Sequence, residues 1–187
     1  RLEPENEAIR DAAALIARSE KPVIFVGGGV IKANASKELM KLAELIGAPV
    51  VTTLMARGAF PDSHFLHLGM PGMHGTVAAV TALQKADLLV TLGARFDDRV
   101  TGKLSTFAVN AQIIHADIDP AEIGKNRYAD VAVIGDLMNT LNALIPAVQA
   151  EFKKSRPDLT AWWKQMSSLR ATYPLGYTQP DDGSLSP

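Results

Sequence analysis

Apolar residues along the chain fall into two alternating periods, and that alternation predicts the elements. After Pro4, Ile9, Ala12, Ala13 and Ile16 share one helical face, and Pro22-Val-Ile-Phe-Val26 then runs apolar throughout, as a strand buried on both faces does. Leu39, Leu42, Ala43 and Ile46 restore the helical period until Gly47 and Pro49 stop it. Val50–Thr53 reads as a second strand and Phe65–Leu68 as a short third, followed by a helix over Thr76–Leu83. Leu88–Leu92, Gln112–Ala116 and Val131–Ile134 read as three further strands. Asp136 is placed to cap a helix whose apolar positions are Leu137, Leu141, Leu144, Ile145 and Val148. Such alternation predicts an α/β fold: a doubly wound, Rossmann-like parallel sheet of about six strands with helices on both faces.

The pattern changes near residue 151. Glu151–Pro157 is charged, Asp158 is placed to cap a helix with the stripe Leu159, Trp162, Trp163, Met166 and Leu169, and Tyr173–Pro187 carries three prolines and two glycines. We therefore expect an α/β domain over residues 1–150 and a helical appendage with an extended linker over 151–187. Both tryptophans lie in the appendage, one expected to pack on the domain and the other to dock a neighbouring domain. The chain opens at Arg1 with no methionine, which suggests a piece of something longer.

Composition removes several function classes. At 187 residues, 47% apolar and 21% charged, the chain has room for one sizeable core. Its formal charge of -1 offers no basic field for nucleic acid or an anionic membrane. Zero cysteines exclude disulfides, thiol catalysis and thiolate metal sites, and fit a reducing compartment. No apolar run reaches the length of a membrane span. His64, His67, His74 and His115 show no metal-ligand spacing, so no metal site is expected here. No nucleophile turn or acid/base carboxylate pair stands out, and the chain reads as built to bind rather than to react.

The candidate binding residues sit where predicted strands end. Gly27-Gly-Gly29 follows the first strand, where a mononucleotide fold keeps its backbone bare for a phosphate or sugar. The dinucleotide fingerprint is incomplete, because Lys32 stands at the third glycine and Thr52-Thr53 ends the second strand without an acid. Gly93-Ala-Arg-Phe-Asp-Asp-Arg-Val100 follows the fourth strand and admits two readings: arginines that fork onto a phosphate, or a salt-bridged surface turn. Asp117 and Asp119 follow the fifth strand and Gly135-Asp136 the sixth, as helix caps, as sugar ligands or as both. Met70-Pro-Gly-Met-His-Gly75, with Thr53-Leu-Met55, offers soft apolar contact and a polar edge suited to a flat heteroaromatic ring.

Gly-Met-His-Gly at 72–75, Gly-Ala-Arg-Phe-Asp-Asp-Arg-Val at 93–100, Asp-Ile-Asp-Pro at 117–120 and Gly-Asp at 135–136, in that order, resemble the central domain of the acetolactate synthase (acetohydroxyacid synthase) family. The resemblance covers nearly the whole chain, including Tyr-Pro-Leu-Gly-Tyr at 173–177 and Asp-Gly-Ser-Leu-Ser-Pro at 182–187. It implies a transferase catalytic large subunit that condenses two pyruvates, or pyruvate with 2-ketobutyrate, and releases CO2 in branched-chain amino-acid biosynthesis.

For this piece the resemblance implies FAD binding. Gly27, Gly28, Gly29, Thr53, Leu54, Met55, Gly72, Met73, His74, Gly93, Ala94, Arg95, Asp97, Arg99 and Val100 would line the flavin, ribityl and diphosphate parts. Asp117, Ile118, Gly135 and Asp136 would lie near the adenosine end. Arg99 has a second implied place, at the mouth of the substrate channel. The flavin's implied role is structural, with thiamine diphosphate and Mg2+ doing the chemistry in flanking N- and C-terminal domains. No catalytic residue is then expected in this chain, and the piece alone should be inactive. A homodimer or tetramer, a small regulatory subunit and a cytoplasmic location (plastid or mitochondrion in a eukaryote) are also implied. The alternatives are another thiamine enzyme, of pyruvate oxidase or glyoxylate carboligase type, and a stand-alone nucleotide-binding module.

Overall fold

The computed structural model describes residues 2–176 and 180–184; of the extended linker expected over Tyr173–Pro187, 177–179 and 185–187 lie outside the described residues. Its strands are β1 (Pro22–Val26), β2 (Val50–Thr52), β3 (His67–Gly69), β4 (Leu88–Leu92), β5 (Gln112–Asp117) and β6 (Val131–Ile134). They form one sheet in the order β3-β2-β1-β4-β5-β6, with every pair parallel. β1 and β4 are buried at every position, which explains their unbroken apolar runs. The longer helices are α1 (Asn6–Arg18), α3 (Ser36–Ile46), α4 (Val77–Lys85), α6 (Leu137–Phe152) and α7 (Thr160–Thr172), with the single turns α2 (Gly29–Lys32) and α5 (Asp98–Thr101) between them.

Alternate residues of each strand face opposite sides, so the sheet divides the core in two. Ile24, Val26, Val90, Leu92 and Ile114 pack with the stripes of α1, α3 and α6. Val23, Phe25, Leu89 and Ile113 pack on the other face with Ala79, Ala82 and Leu83 of α4 and with Trp162 and Met166 of α7. The fold is the doubly wound, open α/β sheet that the pattern predicts, and its order reverses direction between β1 and β4.

Several details differ from the sequence reading: β5 runs on through Asp117 and α4 spans Val77–Lys85. β2 ends one residue early because Thr53 opens a 3-10 turn over Leu54–Ala56. β3 begins at His67 rather than Phe65, whose 59% exposed ring stacks on Trp163 at 4.6 Å instead of entering the sheet. The Asp158 carboxylate accepts from the Thr160 amide and hydroxyl, but the residue preceding the first turn of α7 is Leu159. Both tryptophans pack inward: the Trp162 indole donates to the Pro22 carbonyl (3.1 Å) and that of Trp163 to the Gly47 carbonyl (2.7 Å). A buried indole N–H needs an acceptor, and the appendage finds two in the domain.

Candidate functional site

A sheet with all strands parallel sends every strand exit to one edge, so residues distant in sequence converge there. Gly27–Gly29 follow β1, Thr53–Met55 follow β2, Gly72–His74 lie beyond β3, Gly93–Val100 follow β4, Asp117 and Ile118 end β5, and Gly135-Asp136 follow β6. The exits of β1 and β4, where strand order reverses, touch through their backbones. A Cβ on Gly27 would lie 2.1 Å from the Gly93 carbonyl oxygen, and one on Gly93, whose φ is +57°, would lie 2.7 Å from Gly29 Cα. The Gly27 amide donates to the Leu92 carbonyl (2.9 Å) and the Gly29 amide to that of Gly93 (3.1 Å). These two amides are therefore not bare for a phosphate: close backbone packing, rather than anion binding, explains both glycines. Ala94 is likewise turned inward, 3% exposed against Gly27.

Beside this seam lies a cavity of about 150 Å³ lined by Gly29, Lys32, Ala33, Gly93, Asp117, Ile118, Asp136 and Leu137. Five of these belong to the residues singled out from sequence. Lys32, Ala33 and Leu137 were missed as lining, although Lys32 had marked itself by standing at the third glycine of the fingerprint. Asp136 caps α6, accepting from the amides of Met138 (3.0 Å) and Asn139 (3.4 Å), and borders the cavity as well. Asp117 caps no helix: its carboxylate accepts from the Asp119 amide (3.0 Å) in a local turn.

The β4 exit and the loop beyond β3 also meet. A Cβ on Gly72, with φ +99°, would lie 2.8 Å from the Arg99 carbonyl oxygen, so the two motifs back onto each other. Arg95 and Asp97 pair at 3.6 Å with both side chains more than half exposed, and such a pair holds Arg95 only weakly. Around them, large apolar side chains face outward: Leu54 (68%), Met55 (76%), Met73 (91%) and Ile118 (58%) are all exposed, and His74 is exposed beside Met73. Exposed apolar side chains at one sheet edge are the kind of feature that ligand-binding and docking surfaces carry.

Beneath the β4 exit, His115 sits buried with its Nε2–H donating to the Ala94 carbonyl at 2.9 Å and Phe96 packed edge-on at 5.4 Å. Burial pushes its pKa below the usual imidazole value, while the Ala94 carbonyl, Asp117 and Glu122 pull partly the other way. The ring braces the turn from behind and does not reach the edge. Among the described residues, no group of three or more His, Cys, Asp or Glu side chains is gathered to hold a metal.

Residues 9–144 match the family model described as thiamine pyrophosphate enzyme, central domain. The chain belongs to this family. Three relatives give the match finer grain. It is 59% identical to acetolactate synthase of Mycobacterium avium over 184 residues, 98% of this chain and 30% of that protein. It is 52% identical to the acetolactate synthase large subunit of Corynebacterium glutamicum over 184 residues, 98% of this chain and 29% of that one. It is 46% identical to the large subunit of Parasynechococcus marenigrum, again over 98% of this chain and 29% of that one. This central domain thus spans about 30% of the length of the curated relatives it matches. No helix among its described residues is long and apolar enough to cross a membrane.

Proposed function

We propose that the chain is the FAD-binding central domain of an acetolactate synthase large subunit. In that reading the full-length enzyme condenses two pyruvates, or pyruvate with 2-ketobutyrate, and releases CO2 in branched-chain amino-acid biosynthesis. One observation carries the cofactor assignment: the cavity at the reversal of strand order, where Asp117 and Asp136 stand beside Lys32 and Ile118.

Those residues fit the adenosine end of a dinucleotide. Carboxylates accept from sugar hydroxyls, Ile118 offers an apolar face, and Lys32 brings a cation toward phosphate. A cavity of about 150 Å³ is too small for all of FAD, since sites for whole ligands run to about 300–1,000 Å³. The remainder would lie along the open edge. Arg95, Asp97, Arg99 and Val100 would border the diphosphate and ribityl parts, and Thr53–Met55 and Gly72–His74 the flavin ring, with the glycines of the β1–β4 seam beneath. Arg95 is suited to an anion because its present partner is exposed and screened.

FAD held there supplies a shaped aromatic and anionic surface rather than electrons. The chain's own residues would orient that surface, with the outward-facing Leu54, Met55 and Met73 giving it apolar contact. Thiamine diphosphate and Mg2+ would be held by flanking N- and C-terminal domains, and the isolated chain would be inactive. Residues 1–150 would form the cofactor domain and 151–187 the passage toward the next one. A homodimer or tetramer, a small regulatory subunit and a cytoplasmic location complete the proposal.

The test follows the flavin band of the full-length protein during anaerobic turnover of pyruvate. We expect activity to require FAD while the band stays unbleached. Stoichiometric bleaching with a requirement for an external electron acceptor would overturn the reading in favour of an oxidase.

A further inference from the structure

The segment between β2 and β3 leaves the sheet at Thr53, presents Leu54 and Met55 at the ligand edge and returns at His67, and one buried histidine closes its neck. His67 Nε2 lies 3.0 Å from the Thr52 hydroxyl, and its Nδ1 lies 3.1 Å from the Asp62 carboxylate. Asp62 also accepts from the Arg57 guanidinium. The ring is 3% exposed, and Phe60, itself 1% exposed, packs against it with centroids 6.0 Å apart.

The direction of each bond is dictated by chemistry. A carboxylate only accepts, so Nδ1 carries the hydrogen; in the neutral ring Nε2 must then accept, and the Thr52 hydroxyl donates. Burial is the leading influence on His67 and lowers its pKa; Asp62 opposes it, while Arg57, Arg170 and His64 reinforce it. The neutral ring is therefore the form that suits this geometry. Thr52 is fully buried, so the Thr-His-Asp chain has no access to a substrate and is no hydrolytic triad.

The backbone gives the clamp its reach. Val50 of β2 pairs with His67, but the next residue, Val51, pairs with Gly69, so β3 carries an extra residue at this point. Such a bulge redirects the chain beyond it, here Met70–Gly75. His67 stands at the bulge and grips the other strand two residues further on, at Thr52.

We infer that His67 is a positioning residue for the ligand edge: by joining Thr52 to Asp62 across the β2–β3 bulge it fixes both Leu54–Met55 and the loop of Met73 and His74. The inference rests on the proposed FAD site for its consequence, but the clamp itself is independent of that reading.

The experiment uses the full-length protein and two readouts, amide hydrogen exchange of residues 53–62 and FAD affinity by flavin fluorescence. His67→Ala removes both bonds of the clamp and should speed exchange in that segment at least about tenfold, since each net hydrogen bond lost from a local opening is worth roughly five- to tenfold. FAD affinity should weaken about five- to tenfold. Thr52→Val, nearly isosteric, should speed exchange by less, because it cuts only the first of the two bonds, and adding it to His67→Ala should change little, because that bond is already gone. His67→Gln, which keeps a polar atom toward Thr52, should recover part of the protection. Unchanged exchange in both single variants, or exchange raised evenly over the whole sheet, would overturn the clamp. Faster exchange with unaltered FAD affinity would overturn its role at the ligand edge. If the wild-type protein binds no FAD, the proposed cofactor fails, and exchange alone decides for or against the clamp.

Discussion

Replacing Gly27 by alanine tests whether the β1–β4 seam is held by backbone contact. The added Cβ would stand 2.1 Å from the Gly93 carbonyl oxygen and 2.5 Å from Ala94 Cα, both backbone atoms that no rotamer change can move. Relief requires the two strand exits to part by about 1 Å to reach ordinary contact. Such overpacking costs about 1–3 kcal/mol, and parting the strands also strains the bond from the Gly27 amide to Leu92, worth about 1 kcal/mol more. The sum, about 3 kcal/mol, is a large share of a stability of about 5–15 kcal/mol. For a chain of this size it should lower the melting temperature by about 9 °C. Gly28→Ala is the matched control, since its Cβ would come no closer than 3.3 Å to Met55, side chain or carbonyl, and its φ of -61° is helical. Thermal unfolding by circular dichroism reads the difference. A Gly27→Ala protein melting within about 2 °C of wild type, or no lower than Gly28→Ala, would refute the reasoning.

Removing the side chain that caps α6, by Asp136→Ala, should destabilise by about 1–2 kcal/mol in urea titration, while Asp136→Asn, which still accepts from the Met138 and Asn139 amides, should lose much less. The buried histidines should make stability fall in acid. His67 and His115 both have pKa values lowered by burial, so the folded state favours their neutral forms; their contribution is full above the ordinary imidazole value near 6.5 and is lost as pH falls below it through the folded values. A urea midpoint that drops between pH 7 and pH 5.5, with a smaller drop in His67→Gln, is expected.

What was legible in the sequence depended on the range of the forces involved. β1 and β4 announce themselves because burial on both faces demands apolar side chains at every position. The convergence of the strand-exit motifs is a consequence of an all-parallel sheet, so the location of the edge was readable from the pattern alone. Phe65 misled because its apolar, aromatic character suits a strand, yet Trp163 offered its ring a stacking partner 98 positions away. Lys32 and Ala33 entered the cavity through a single turn of helix, too short to leave a period. The glycines at 27 and 29 follow β1 as the pattern has it, but their amides bond Leu92 and Gly93 rather than standing bare, since a sequence shows the missing side chain but not which backbone fills the space. The His67 clamp was invisible for a similar reason, because it exists only in the shifted β2–β3 register.

The seating of α7 has a mechanical consequence. Its two indoles are moored at Pro22, where β1 begins, and at Gly47, just ahead of β2, so both moorings lie at the opposite pole of the sheet from the strand exits. The five residues of β1, about 17 Å of strand, separate the two poles. A load carried by the two indoles thus enters the sheet where β1 and β2 begin and is shared with the ladders that tie β1 to β2 and β4 on either side. α7 has a further attachment: Arg170 donates to the Phe65 carbonyl (2.8 Å) and Trp163 stacks on the Phe65 ring (4.6 Å). A neighbour hauling on α7 would therefore pull on the starts of two central strands and also on the segment that leads back from the strand exits to β3.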